Sequence, residues 1–253
     1  MENKKTNNNI IIGRNPVTEA LRSGRDIDKI LVGPGQEGSI KKIIGMAKDR
    51  GIMIVNSEKT ALDRIAGATN HQGVIAYASA YEYKEVDDIL ALAKERGEDP
   101  FIIILDGLED PHNLGAIMRS AEGAGAHGVI IPKRRSVGLT EVAAKASAGA
   151  VEYMPVARVT NIARTIEELK EAGLWIAACD MGDTLYYEAD LTGGIAVVVG
   201  SEGFGISRLV SEKCDFTVSM PMMGKINSLN ASNAAAILLY EVRRQRDLKA
   251  KLK

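Results

Sequence analysis

Apolar residues fall into short continuous blocks separated by segments in which they recur at helical spacing. Runs such as "FIIIL" from Phe101 and "IAVVVG" from Ile195 show no alternation of period two, which is the signature of parallel strands covered on both faces. The segment that follows Asn113 and runs to about Gly125 instead places Leu114, Ile117, Met118 and Ala121 on one helical face. Strand and helix patterns alternate from residue 10 to residue 79, predicting strands at 10–13, 29–33, 52–56 and 73–79 with helices at 16–24, 39–51 and 58–67. A charged stretch, "YEYKEVDDILALAKERGEDP", interrupts the series and reads as a connecting helix or linker. A second series starts at Phe101. It predicts strands at 101–105, 128–132, 151–156, 175–179, 195–200 and 216–220, with helices reaching Gly125 and at 140–148, 161–172, 206–213 and beyond 230. The class is therefore α/β, organised as a small α/β domain at 1–80, a linker at 81–100 and a larger parallel-sheet domain at 101–253.

Composition narrows the function classes. A chain of 253 residues, 45% hydrophobic and 26% charged, supports one large or two ordinary cores. No apolar run approaches the roughly 20 residues of a membrane span, and "MENKKTNNNIIIG" lacks the apolar centre of a secretory leader. A cytoplasmic protein with no membrane partner is expected. Cys179 and Cys214 are far apart and without nearby histidines, so they read as buried thiols, with neither a disulfide nor a metal site expected. The net charge of −1 gives no general signal for nucleic acid. Cations do cluster at "KRR", 133–135, and in "RRQRDLKAKLK", 243–253. The latter is either a helix end whose cations suit the helix dipole or a patch that grips phosphate.

Three loops follow strands of the second series, where open parallel sheets bind ligands. "DGLEDPHNLGAIMR", 106–119, offers Asn113 as a helix cap and Arg119 off the apolar stripe, as a surface or a functional arginine. "VVGSEGFGIS", 198–207, is a glycine-rich turn that fits neither the phosphate-loop nor the dinucleotide fingerprint. Its Glu202 would repel phosphate and suits a cationic or hydrogen-bond-donating partner, unless it is simply an exposed glutamate on a tight turn. "MPMMGKINSLNASNAAAILLYEV", 220–242, gathers more amides and hydroxyls at a helix start than one cap needs. That surplus implies a polar pocket.

The three loops, in this order, resemble the motifs of the SpoU-type RNA ribose 2′-O-methyltransferases of the SPOUT superfamily. "GRNPVTEAL" at 13–21 and "HQGVIA" at 71–76 resemble the small RNA-binding domain of members that methylate a guanosine of large-subunit ribosomal RNA. The resemblance implies a C-terminal parallel-sheet domain tied in a trefoil knot, a homodimer formed through that domain, and S-adenosylmethionine as cofactor, with no metal. Carried over by motif, it assigns the cofactor to Gly200, Met220 and Leu229, with Ser201, Gly203 and Met222 beside them. It makes Arg119 the activating residue, positioned with the substrate by Asn113, Glu202, Ser228 and Asn230. A guanidinium rarely gives up its proton, so Arg119 acts either as a base or by binding the adjacent phosphate and polarising the hydroxyl. Arg14, Asn15, Lys133, Arg134 and Arg135 are the expected RNA contacts, although Arg14 could equally serve only the start of its helix. Ribosomal RNA is the implied substrate. Transfer RNA, an antibiotic-resistance target and a non-catalytic ribosome-assembly role are the competing readings.

Overall fold

The computed structural model describes residues 9–35, 38–79 and 81–251. The N-terminal segment, read above as lacking the apolar centre of a secretory leader, lies largely outside the described residues, as do Leu252 and Lys253 of the basic tail. The chain divides into two compact units between Glu82 and Tyr83.

In the first unit the elements run β1 (Ile10–Ile12), α1 (Arg14–Arg22), β2 (Ile27–Val32), α2 (Ser39–Asp49), β3 (Met53–Asn56), α3 (Lys59–Ala66) and β4 (Val74–Ala78). The strands form one sheet in the order β1-β4-β2-β3, with β4 antiparallel to both its neighbours and β2 parallel to β3. Strand alternation divides the core between the two faces. Ile30, Val32, Val74 and Ala76 pack with Val17, Leu21, Ile40 and Ile43 from α1 and α2. Leu31 and Ile75 pack with Leu62 and Ala66 from α3.

The second unit contains α4 (Val86–Arg96), β5 (Phe101–Asp106), α5 (Pro111–Ala124), β6 (Gly128–Pro132), α6 (Glu141–Ala146), β7 (Val156–Val159), α7 (Ile162–Glu171), β8 (Trp175–Cys179), β9 (Ile195–Gly200), α8 (Arg208–Ser211), β10 (Phe216–Val218) and α9 (Ala231–Lys251). Its sheet is parallel throughout, in the order β10-β8-β9-β5-β6-β7. Phe101 to Leu105 and Ile195 to Val199 are buried along their whole length, which is why their sequences do not alternate. The connecting segment at 81–100 carries α4, whose Ile89 and Ala93 are buried and whose Ile89 joins the core formed by Ile102, Ile104 and Ile130.

Two expectations move. The strand expected at 151–156 begins only at Val156, because Ala150–Glu152 form a 3-10 turn that leaves Tyr153 exposed. The helix that contains Asn113 starts earlier, at Pro111, and Asp110 caps it by accepting from the His112 N–H at 2.8 Å. Proline at the first helical position needs no hydrogen-bond partner there, and Asn113 is thereby freed for another use.

The basic tail is largely engaged by the protein itself. Arg243 pairs with Asp247 and Arg244 with Glu241. Arg246 donates to the carbonyls of Asp99, Pro100 and Gly193, and Lys249 donates to Thr192 Oγ1. Of the two readings of that tail, the helix-end reading accounts for these four cations.

Candidate active site

Register brings the loops together. Asp106 at the end of β5 pairs with Gly200 at the end of β9, and Cys179 at the end of β8 pairs with Val199. The carboxyl ends of three neighbouring strands thus form one rim. The glycine-rich turn rises from its centre and closes on itself: Ser201 N–H donates to Gly205 O and Gly205 N–H to Ser201 O, both at 3.0 Å. Asp106 Oδ2 accepts from the Ser207 N–H at 2.8 Å and ties the exit of the turn to β5. Gly200 is fixed by space, since a Cβ there would lie 2.1 Å from the backbone carbon of Gly205.

Beside this turn lies a cleft of about 690 Å³, within the range of roughly 300–1,000 Å³ common for small-molecule sites. Gly200, Ser201, Gly203, Met220, Met222 and Leu229 all line it, as do Glu202, Ser228 and Asn230. The structure therefore brings together the six expected cofactor residues and three of the five expected catalytic ones. Asn113 joins them through side-chain bonds. Its Nδ2 donates to Glu202 Oε1 at 2.8 Å, and its Oδ1 accepts from Asn230 Nδ2 at 3.1 Å. Asn230 Nδ2 also donates to Glu202 Oε1, at 2.5 Å. Meanwhile Asn230 Oδ1 caps α9 by accepting from Ser232 N, Ser232 Oγ and Asn233 N. The surplus of amides at this helix start is resolved: one asparagine caps the helix with its oxygen and holds the glutamate with its nitrogen.

Arg119 is elsewhere on α5. It is exposed, makes no hydrogen bond or ion pair with the described residues, and is not part of the cleft wall. Arg134 and Arg135 are exposed and Lys133 is half-buried in the loop after β6. That loop flanks the site: Arg135 O and Ser201 Cβ each lie 3.7 Å from the position a Cβ on Gly107 would take. Arg14 is tied into the first unit, donating from Nε to Gln72 O at 2.9 Å and from Nη1 to Ser39 Oγ at 3.3 Å. Its neighbour Asn15 is exposed.

The cleft wall includes residues not anticipated from sequence, among them Cys179, Asp180, Met181 and Phe204, and it also includes Asn227 from the amide-rich stretch read as a polar pocket. The available signal for the first three was position, because "CDM" follows the apolar block of β8 directly. Both cysteines are free and half-buried rather than fully buried. Burial, reinforced by the Asp180 charge, pushes the Cys179 thiol up to about 11, and burial beside Asp215 does the same to Cys214. These are protonated, weakly nucleophilic thiols at neutral pH.

The wall's charge is informative. Among the described residues it contains two carboxylates, Asp180 and Glu202, and no lysine or arginine. Such a cleft favours a ligand bearing positive charge over a phosphate. Methionine and leucine side chains add apolar surface. A sulfonium nucleoside with an amino group, which is cationic at one end and flat and apolar at the other, fits this donor set.

Comparison with known proteins agrees with the geometry. Residues 100–240 match the model of the SpoU rRNA Methylase family, and residues 10–84 match a model described as RNA 2′-O ribose methyltransferase substrate binding. The chain is 50% identical over 239 residues to a Bacillus subtilis protein named as a TrmH family tRNA/rRNA methyltransferase, covering 94% of this chain and 96% of that one. It is similar to the crystal structure of the SpoU methyltransferase AviRb from Streptomyces viridochromogenes in complex with AdoMet, at TM-score 0.60 and 25% identity, covering 98% and 95% of the two chains. An A. aeolicus TrmH/SpoU tRNA modifying enzyme aligns at TM-score 0.55 and 28% identity over 60% of this chain and 78% of its own.

Proposed function

The chain belongs to the SpoU rRNA methylase family and is an RNA methyltransferase that uses S-adenosylmethionine; from that premise we propose that it methylates the 2′-hydroxyl of a guanosine ribose in large-subunit ribosomal RNA. The likeness of residues 10–84 to a ribose-methyltransferase substrate-binding model supports the ribose as target and gives the first unit a substrate-binding role. The observation that carries the reading is the bonded set Asn113, Glu202 and Asn230 at the edge of the cationic-ligand cleft.

S-adenosylmethionine supplies an electrophilic methyl carbon on a sulfonium. Gly200, Ser201, Gly203, Met220, Met222 and Leu229 would hold it, with Asp180 as an added anionic neighbour. Glu202, fixed by two amide donors through Oε1, is oriented to receive a ribose hydroxyl, and Ser228 lies on the same wall. Such fixation converts an encounter into a near-attack arrangement. Arg119 is the activating residue in this scheme. Its guanidinium stays protonated, so it draws in a neighbouring phosphate and polarises the hydroxyl, while a phosphate oxygen or water takes the proton. Lys133, Arg134 and Arg135 border the site and would contact the RNA backbone, with Arg14 and Asn15 as contacts in the first unit.

A homodimer formed through the second unit, its chain knotted, completes the proposal. Ile237 and Tyr240 are exposed on α9, which supports a second copy seated there. Among the described residues no helix is long and apolar enough to cross a membrane, in keeping with a proposed cytoplasmic location. A non-catalytic assembly factor would have no use for Asn113, Arg119, Glu202 and Asn230 together.

The test is transfer of labelled methyl from S-adenosylmethionine to unmodified bacterial large-subunit RNA, with transfer RNA in parallel, followed by nucleoside digestion and mass spectrometry. The expected product is 2′-O-methylguanosine from ribosomal RNA alone. Label in transfer RNA only would replace the target. Cofactor binding with no transfer to either would favour the assembly role.

A further inference from the structure

Phe204 has no structural employment. It sits at the tip of the glycine-rich turn with 94% of its surface exposed, whereas Phe101 is fully buried. A phenylalanine so placed adds nothing to the core and costs solvation of its ring. The turn presents it firmly nonetheless. The reciprocal Ser201 and Gly205 backbone bonds close the loop around it, and its two neighbours, Gly203 at φ +89 and Gly205 at φ +66, hold backbone conformations that a side chain would strain. Two residues earlier the same turn carries Glu202, bonded to Asn113 and Asn230.

An exposed ring on a closed turn, lining the cleft two residues from the carboxylate proposed above to receive the ribose hydroxyl, is a stacking surface. We propose that Phe204 stacks on the nucleobase of the target nucleotide, or on the base next to it, and so sets the ribose against Glu202. This rests on the reading of the cleft as the site of RNA ribose methylation. Unpaired bases are commonly recognised by stacking on aromatic side chains, and the interaction tolerates sequence because every base has a π-face. Phe204 therefore supplies position and affinity, while base identity is read elsewhere. Met181, 80% exposed on the same cleft wall, offers a soft apolar contact beside it but no flat face.

The experiment compares Phe204→Ala, Phe204→Leu and Phe204→Tyr with the parent protein in methyl transfer to whichever RNA the parent modifies, with cofactor affinity measured separately by calorimetry. Stacking predicts that Ala and Leu raise the KM for RNA by about ten- to a hundredfold, that Tyr restores it, and that cofactor affinity is unchanged in all three. Full recovery by Leu would reduce the role to greasy contact, and an equal loss of cofactor affinity would make Phe204 a cover for the cofactor; either result overturns the proposal. A second reading needs no turnover. In a Trp175→Phe background, Phe204→Trp makes position 204 the sole indole, and stacking predicts that its emission is quenched when the large-subunit RNA or the transfer RNA binds. RNA binding without quenching overturns the proposal even if no methyl is transferred, whereas quenching with no transfer by the parent protein retires the functional reading and leaves the stacking contact standing.

Discussion

Asn230 Nδ2 lies 2.5 Å from Glu202 Oε1, a charge-assisted bond between a helix-capping amide and the carboxylate of a turn that is 28 residues earlier in the chain. The same nitrogen reaches Asn113 Oδ1 at 3.1 Å, while the oxygen of the same side chain accepts the free N–H groups of α9. Stability and chemistry share one residue, and its two ends can be separated by substitution.

Asn230→Ser keeps an oxygen able to cap α9 and removes the amide that holds Glu202. Thermal stability should stay near that of the parent, while methyl transfer and cofactor binding both fall because Glu202 loses its fixed orientation. Asn230→Ala should lose activity and, in addition, about 0.5–2 kcal/mol of stability through the missing cap. Paired thermal unfolding and single-turnover transfer distinguish the two effects. A fully active Asn230→Ser protein would return Asn230 to plain capping.

Gly200→Ala places a methyl group against backbone on two sides, with Gly205 O and Ile206 N each 2.3 Å from the new Cβ. Backbone cannot swing aside as a side chain can, so the turn must open. The expected cost is about 1–3 kcal/mol from overpacking, with a loss of cofactor affinity out of proportion to the loss of stability. Urea unfolding and calorimetric titration measure each.

How much of this was legible follows from the range of each interaction. The strands at Phe101 and Ile195 could be read because burial on both faces leaves a continuous apolar run, a local signal. Asn113 was read as a cap because asparagine favours that position, but Asp110 with Pro111 behind it competes better, and the decisive partner of Asn113 is Glu202, 89 residues away. No local pattern encodes that pairing; only the motif order hinted at it. The 151–155 stretch misled because valine, tyrosine and methionine suit a strand, whereas the chain turns there before Pro155 and enters β7 at Val156. Asp180 was missed since a single acid after a strand looks like any surface turn until the sheet places it on the cleft.

His127 gives the second unit a pH dependence. It is fully buried, accepts the Phe101 N–H at Nδ1 and faces Glu98 through Nε2. Burial pushes its pKa below 6.5, against the opposing pull of Glu98. The unfolded chain therefore takes up the proton first as pH falls. The stabilising contribution is whole above about 6.5 and is lost as pH drops from there toward the lowered folded value, with a slope of at most about 1.4 kcal/mol per pH unit. Denaturant midpoints between pH of about 7.5 and about 5 should show this decline. His127→Gln, which keeps an acceptor for the Phe101 amide and cannot titrate, should flatten that part of the curve.

Arg119 carries the sharpest prediction because, among the described residues, nothing in its own chain holds it. An exposed arginine with no partner among the described residues should be replaceable with a change in stability within about 0.5 kcal/mol. Arg119→Ala is expected to fold, to bind S-adenosylmethionine with the parent affinity and to lose methyl transfer. Arg119→Lys tests the phosphate contact proposed for it against direct action on the hydroxyl. A lysine can neutralise a phosphate but lacks the planar fork of donors, so partial rescue marks a phosphate contact. Salt dependence gives the independent check: loss of one phosphate contact lowers the slope of log affinity for RNA against log salt by about 0.7–0.9. A protein that loses turnover with that slope unchanged has lost a group acting on the hydroxyl itself. Retained turnover in Arg119→Ala removes this residue from the mechanism and leaves activation to Glu202 and the amides bonded to it.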